Sequence, residues 1–453
     1  MKHLLTNAFH CAAAGHVWAG LWAHPDSRAK DYNRLDFWLA VAQVCESGLL
    51  DGIFLADILA VPDVYQGKPD AMLRSGSYVP SIDPMFLVPA MAAVTKNISF
   101  GITGNTTYET PFLLARRFST LDHLTEGRVA WNVVCGIVDA AARLMGRDRD
   151  SGHDRRYEMS DDFAELAYKL WEGSWDDEAA VRDAAQHCFA DPSRIRPIEH
   201  DGPFLSCHGI NTCEPSPQRT PLIYSAGASQ AGLDFVGRHA ECAFISYGSS
   251  SGAAAAVRQI REKAVSFGRA PDDIKVFVPA TVVVAQSDAE ANEICQEIVR
   301  YIDGEGNLAN RSALTGVDLS KFGPDDRLAV PKNTNASQSG AKALMEAEGG
   351  LCIRDLMTFG PGRDLFLVGS PSTIADKLAR IVENTDIDGL NLARTIEPKM
   401  LGNFCNLLVP ELQNRGMFKT GYAEGPIRQK LFPHSGGRVL PSHPAARHRF
   451  QQT

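Results

Sequence analysis

The chain of 453 residues holds no run of about 18 apolar side chains, so no transmembrane helix is expected. It is also short of positive charge. Lys and Arg number 45 against 54 Asp and Glu, a net charge of −9, and that balance speaks against nucleic acid or an anionic membrane as partner. No secretory core follows Lys2, because His10, Cys11 and His16 interrupt the apolar start "MKHLLTNAFHCAAAGHVWAG", and a cytoplasmic location is expected. The ten cysteines, at 11, 45, 135, 188, 207, 213, 242, 295, 352 and 405, form no C-x-x-C pair. Scattered thiols, several inside apolar runs, predict reduced side chains rather than disulfides or zinc, and no metal is expected. No apolar run is followed by G-x-G-x-x-G, which weakens a dinucleotide-binding fold.

What the chain does contain is rhythm. Eight apolar runs recur: "HLLTNAF" (3–9), "GIFLAD" (52–57), "SFGITGN" (99–105), "RVAWNVVCG" (128–136), "PLIYSAGAS" (221–229), "ECAFIS" (241–246), "IKVFVPATVVVA" (274–285) and "GLNLA" (389–393). Helical patterns such as "DYNRLDFWLAVAQVCESG" (31–48) and "PFLLARRFSTLDHLTEG" (111–127) separate most of them. Runs without alternation, each followed by a helix, mean parallel strands covered on both sides. Eight of them favour an α/β fold of the (β/α)8 TIM-barrel type over an open doubly wound sheet. One barrel domain is expected over 1–431, with insertions near 140–220 and 300–360. The Pro-, Gly-, His- and Arg-rich stretch 432–453 is expected to be a flexible tail.

A parallel barrel keeps its active site at the C-terminal ends of the strands. Asp57, Thr103, Asn105, Asn132, Cys135, Ser225 and Ser229 fall at or just past such ends. A single polar residue there marks only the start of a loop; so many on one face predict a ligand-binding mouth. The sharpest local chemistry is in "YSAGASQAGLDFVGRHAE" (224–241), where small residues, a Ser229 cap and a helix start together offer an anion free N–H groups. His153 and Tyr157, four apart in "HDRRY", are candidate partners, although spacing alone favours an ordinary surface cap over a ligand for His153.

These residues carry a resemblance. "LLDGIFLAD", "PFLLARRFSTLDHLTEGRVAWNVV", "HDRRYEMSDDFAELAYKLWEGSWDDEA", "EPSPQRTPLIYSAGASQAG" and "FLVGSPSTIADKLARIVENTDIDGLNLA" occur in order between about residues 3 and 432. Together they resemble the bacterial luciferase-like flavin monooxygenases, in the branch that holds the nitrilotriacetate and dibenzothiophene sulfone monooxygenases and pristinamycin IIA synthase. The resemblance implies a TIM barrel that binds reduced FMN, supplied by a separate NAD(P)H-dependent flavin reductase. O2 would add to the flavin as a peroxide, with the protein excluding water.

By the same resemblance Asp57 and Thr103 lie beside the flavin ring and Asn132 faces its edge. His153, Tyr157, Ala228 and Ser229 surround the phosphate. Two positions depart from the family pattern: Cys135 stands where Thr is usual, and Ser225 where Gln is usual. His10 and His16, placed after the first strand, are candidates for proton donation or substrate binding, against the plainer reading of two satisfied loop histidines. "PKNTNASQSGAKA" in the 300–360 insertion has the composition of a lid, or of an inert surface loop.

The loops past the strands are mostly apolar and small, with Arg143 the main cation, so the substrate is expected to be a small apolar molecule, organosulfur or haloaromatic. Family members commonly form homodimers or homotetramers. A deazaflavin-dependent oxidoreductase and a non-catalytic flavin-binding protein remain as alternatives.

Overall fold

The computed structural model describes residues 2–136, 139–146, 152–327, 351–360 and 364–451. Its strands are β1 (Leu5–Cys11), β2 (Gly52–Ala56), β3 (Ser99–Asn105), β4 (Val129–Val134), β5 (Ile198–Asp201), β6 (Ser206–Gly209), β7 (Leu222–Ala226), β8 (Cys242–Phe244), β9 (Lys275–Val284), β10 (Leu365–Gly369) and β11 (Gly389–Ala393). Eight close into a parallel barrel in the order β1-β2-β3-β4-β7-β8-β9-β11, with β11 returning to β1 from Leu5 opposite Gly389 to Phe9 opposite Ala393. The eight apolar runs are these eight strands.

β10 is an addition that the apolar runs do not predict. It pairs with the upper half of β9, from Leu365 opposite Ala280 to Gly369 opposite Val284. Its five residues alternate buried and half-buried, because it extends the wall instead of closing it.

Along each strand the side chains alternate between the barrel interior and the surrounding helices. Phe9, Phe54, Tyr224, Phe244 and Phe277 point inward; Tyr224 stacks on Phe244 at 5.3 Å, and Phe54 meets Phe244 edge-on at 4.5 Å. These rings fill the barrel, which leaves only its mouth for a ligand. On the outside, Trp131 of β4 meets Phe118, Phe163 and Trp171 at 5.8 to 6.0 Å. Each such fully buried ring stabilises the fold by about 1.5–3 kcal/mol. With Trp131 turned outward, alternation puts Asn132 on the inner face. An amide inside an apolar run is thereby explained.

Both insertions contain regular structure among their described residues. Residues 140–220 contain the helix His153–Tyr168 and the antiparallel hairpin β5–β6. In 300–360, the helix Gly304–Thr315 contributes Leu308 and Ala309 to a small second core with Tyr65, Met72, Val79, Leu319, Ile353 and Leu356. Its described part is a packed wall; "PKNTNASQSGAKA" (331–343) lies outside the described residues.

The C-terminal stretch corrects the expectation of a loose tail. Val439, His443 and Ala445 are buried, and the His443 ring donates to the His239 carbonyl at 2.9 Å. Arg447 and His448 pair with Glu165 on the helix that carries His153 and Tyr157. A few anchors hold a segment whose average composition looks unpackable. Among the described residues, no helix is long and apolar enough to cross a membrane.

Candidate active site

A cavity of roughly 340 Å3 opens at the C-terminal ends of β2, β3, β4 and β7. Asp57, Thr103, Cys135, His153, Tyr157, Ala228 and Ser229 all line it, so the structure brings these seven predicted residues together.

At one end the wall is a strand end followed by a serine-capped helix. β7 stops at Ala226, and the helix Gln230–His239 begins after three small residues. Ser229 caps it, its hydroxyl accepting from the Gly232 amide at 3.0 Å. Glycine is required on both sides of this turn: a Cβ on Gly227 would lie 2.7 Å from the Gly232 backbone, and one on Gly232 would lie 2.9 Å from the Tyr157 hydroxyl. The first turn of the helix is thereby pressed against the strand end, with the capping Ser229 on the cavity wall. Burial, reinforced by the neighbouring Cys135 thiol, holds the Tyr157 phenol far above its usual range, so it remains a neutral hydrogen-bonding group. Arg156 also lines this end and is 2% exposed. Nothing in "HDRRY" singles it out, because a helix arginine is ordinarily a surface residue.

The other end is acidic and apolar. The Thr103 hydroxyl donates to the Leu55 carbonyl at 3.0 Å and accepts from the Asn132 amide at 2.9 Å. Asn132 therefore stands behind Thr103 and acts on the wall through it, instead of lining the cavity itself. The Glu109 carboxylate accepts from the Asn105 amide at 3.0 Å and is pushed above its usual range by burial. Ile58, Leu59, Pro62, Tyr78, Ala313 and Leu314 supply apolar surface, with Asn310 beside them. Arg143 is ion-paired with Asp63 at 2.6 Å and is not on the wall.

Asp57 is the group here whose titration should be measurable. Burial, with the like charges of Asp83 and Glu109 behind it, pushes its carboxyl up to about 6 from an ordinary 3.8, against an opposing hydrogen bond from the Ile58 amide. The folded protein thus holds this proton more tightly than the unfolded chain does. Stability from this site is complete below about pH 4 and is lost as pH rises through 6. Asp57→Asn is expected to leave unfolding unchanged near pH 4 and to stabilise the flavin-free protein by roughly 1–2 kcal/mol near pH 7.5, after discounting for partial exposure. Urea unfolding at the two pH values checks this; an equal effect at both would exclude the charge as its cause.

Besides Asn132, three expected site residues are off the cavity wall. His10 lies on β1 itself, on the outer face, edge-on to Trp38 at 5.9 Å and 3.3 Å from Glu397. Burial, aided by the Arg394 charge, drops it to about 3, so it is neutral and walled off from the cavity. His16 is 2% exposed and covered by Tyr78, whose ring it meets edge-on at 5.1 Å. Ser225 points outward because its neighbours Tyr224 and Ala226 take the inner face, and it is 1% exposed. Cys135 does reach the cavity, where its sulfur accepts a hydrogen bond from the Ser160 hydroxyl at 3.2 Å.

Fold and site together define a (β/α)8-barrel enzyme with a serine-capped helix terminus at its mouth. The chain belongs to the luciferase-like monooxygenase family, whose model matches residues 16–388. It is 42% identical to the dimethyl-sulfide monooxygenase of Hyphomicrobium sulfonivorans, over 99% of this chain and 94% of that one. The crystal structure of DmoA from that organism superposes with a TM-score of 0.93, covering 99% of this chain and 96% of the other. The long-chain alkane monooxygenase of Geobacillus thermodenitrificans is 40% identical over 99% of this chain and 98% of its own. A riboflavin lyase solved with modified FMN and riboflavin gives a TM-score of 0.90 at 34% identity, covering 99% of this chain and all of that one. With such relatives along nearly its whole length, the protein is a flavin-dependent monooxygenase.

Proposed function

We propose that the protein is the oxygenase component of a two-component system. It takes FMNH2 from a separate NAD(P)H-dependent flavin reductase and uses O2 to oxidise a small, uncharged organic molecule, an organosulfur or haloaromatic compound. The observation that carries this reading is the charge polarity of the cavity. Its buried guanidinium, Arg156, stands with His153 and Ser229 at one end, and its carboxyl groups, Asp57 and Glu109, stand with the apolar wall at the other. A flavin carrying a phosphate fits that polarity in one direction, and a polycarboxylate substrate would meet two acids.

FMN, when bound, supplies the oxygen chemistry. The chain supplies the rest. Ser229 and the amides behind it hold the phosphate, and Arg156 neutralises it. Thr103, fixed by Asn132 and the Leu55 carbonyl, orients the ring, and Asp57 holds a proton at its carboxyl beside it at mildly acidic pH. Ile58, Leu59, Val133 and Leu314 keep water away.

The test mixes the anaerobic protein with FMNH2 and then with oxygenated buffer, following flavin absorbance. Reoxidation is expected to be slower than in free solution and to be altered by small sulfides. Reoxidation at the protein-free rate would end the assignment to FMN.

A further inference from the structure

Tyr78 has the least ordinary backbone on the cavity wall. Its φ is +61°, in the left-handed region, which is a genuine outlier for a bulky residue. Such a conformation persists only where the surroundings over-determine it, and here they do. The Tyr78 amide donates to the Gly15 carbonyl at 3.1 Å, the Gly15 amide to the Gly76 carbonyl at 2.7 Å, and the Ile82 amide to the Ala12 carbonyl at 2.9 Å. The approach is so close that a Cβ on Gly15 would lie 2.7 Å from the Gly76 oxygen. Two loops are laced together, and the lacing aims Tyr78 at the cavity.

Its ring is backed as firmly as its backbone. Phe54 meets Phe9 at 5.6 Å, Phe9 meets His16 at 4.3 Å, and His16 meets Tyr78 at 5.1 Å. This column of rings rises from the barrel interior and ends at the cavity wall. The helix Gly304–Thr315 supplies the neighbouring wall and is tied to the same loop: the Asn310 side chain donates to the His16 carbonyl at 3.0 Å, and Asn307 accepts from the Ala19 amide at 2.9 Å. Tyr78, Asn310 and Leu314 thus form a surface that cannot recede without unlacing both loops.

The space available is small. Ligand pockets commonly span about 300–1,000 Å3, and this cavity of roughly 340 Å3 must receive a flavin as well as a substrate. We infer that Tyr78 sets the size limit of the substrate site, confining the protein to uncharged molecules of a few heavy atoms, short-chain sulfides among them, and excluding long chains. This deepens the monooxygenase reading above and rests on it.

The experiment measures kcat and KM separately for dialkyl sulfides from dimethyl to dioctyl, with FMNH2 delivered by a flavin reductase. The same sulfides are titrated into the FMN-bound protein, with bound-flavin fluorescence as readout. For the unaltered protein, kcat/KM is expected to fall at least tenfold between diethyl and dibutyl sulfide, mainly through KM. Tyr78→Ala is expected to move that cut-off to longer chains, changing the dibutyl-to-dimethyl ratio at least tenfold. Tyr78→Phe, which keeps the ring, is expected to keep the cut-off, and Leu314→Ala tests the same wall should Tyr78→Ala fold poorly. Equal handling of dibutyl and dimethyl sulfide by the unaltered protein would overturn the inference, as would a uniform change across the series in both opened variants. Absence of any turnover would count against the sulfide reading alone, because fluorescence still reports whether chain length is discriminated.

Discussion

Alanine at position 227 is expected to cost the protein at least a hundredfold in FMN affinity while leaving it folded. The added methyl group would sit 2.7 Å from the Gly232 backbone, which has no rotamer by which to escape. Relief requires the helix Gln230–His239 to move off the strand end. That movement breaks the 3.0 Å bond between the Ser229 hydroxyl and the Gly232 amide and turns the helix N-terminus away from the proposed phosphate site. Hydrogen bonds to a charged group are worth about 1.5–3 kcal/mol each, so losing two of them accounts for the factor. Overpacking of this kind costs the fold about 1–3 kcal/mol, less than the total stability of an ordinary domain. Ser229→Ala should be milder, near tenfold, because it removes one cap worth about 1 kcal/mol and leaves the helix in place. Riboflavin provides the internal control. Lacking the phosphate, it should bind the Ser229→Ala protein as it binds the unaltered one. Fluorescence titration of both flavins decides the matter; FMN binding within threefold of normal in Gly227→Ala would place the phosphate elsewhere.

The same turn illustrates how much of this protein is legible in its sequence. All eight barrel strands announce themselves as apolar runs between helical patterns, because a strand buried on both faces has nowhere to put a charge. That very property hides which residue faces which way. Ser225 and His10 read as mouth residues because they stand near strand ends, yet alternation turns both outward. No periodicity in a uniformly apolar run reveals it. The capped turn after β7 is legible because Ser after small residues, with a helical pattern following, marks a helix start. The opposite end is not, since its walls come from Tyr78 and the helix Gly304–Thr315, more than 200 residues apart and joined only by tertiary contacts. A left-handed tyrosine has no composition to betray it. β10 escapes for a different reason: five residues of alternating burial leaning on one long neighbour do not look like a barrel strand.

The largest effect on stability is expected from Arg428. This side chain is fully buried, and its guanidinium grips Glu241 with two bonds, Nε to Oε1 at 2.6 Å and Nη2 to Oε2 at 2.9 Å. The remaining donors reach the Gly437 carbonyl at 3.1 Å and the Thr220 carbonyl at 2.9 Å, while Glu241 also accepts from the Ile223 amide at 3.1 Å. One buried pair therefore ties the C-terminal stretch to the N-terminal ends of β7 and β8, at the end of the barrel opposite the cavity. Removing one partner strands the other charge away from water, which costs about 3–5 kcal/mol. Arg428→Met is accordingly expected to lower the unfolding free energy by that amount in urea titrations, and Glu241→Gln by somewhat less, since an amide can still accept from the arginine. The paired change Arg428→Met with Glu241→Leu should recover most of the loss, because a well-packed apolar pair is about as stable as a desolvated ionic one. Flavin affinity per folded molecule should not change in any of the three. A double variant as unstable as the single one would mean that the carbonyls of Thr220 and Gly437, orphaned together, matter more than the charge on Glu241.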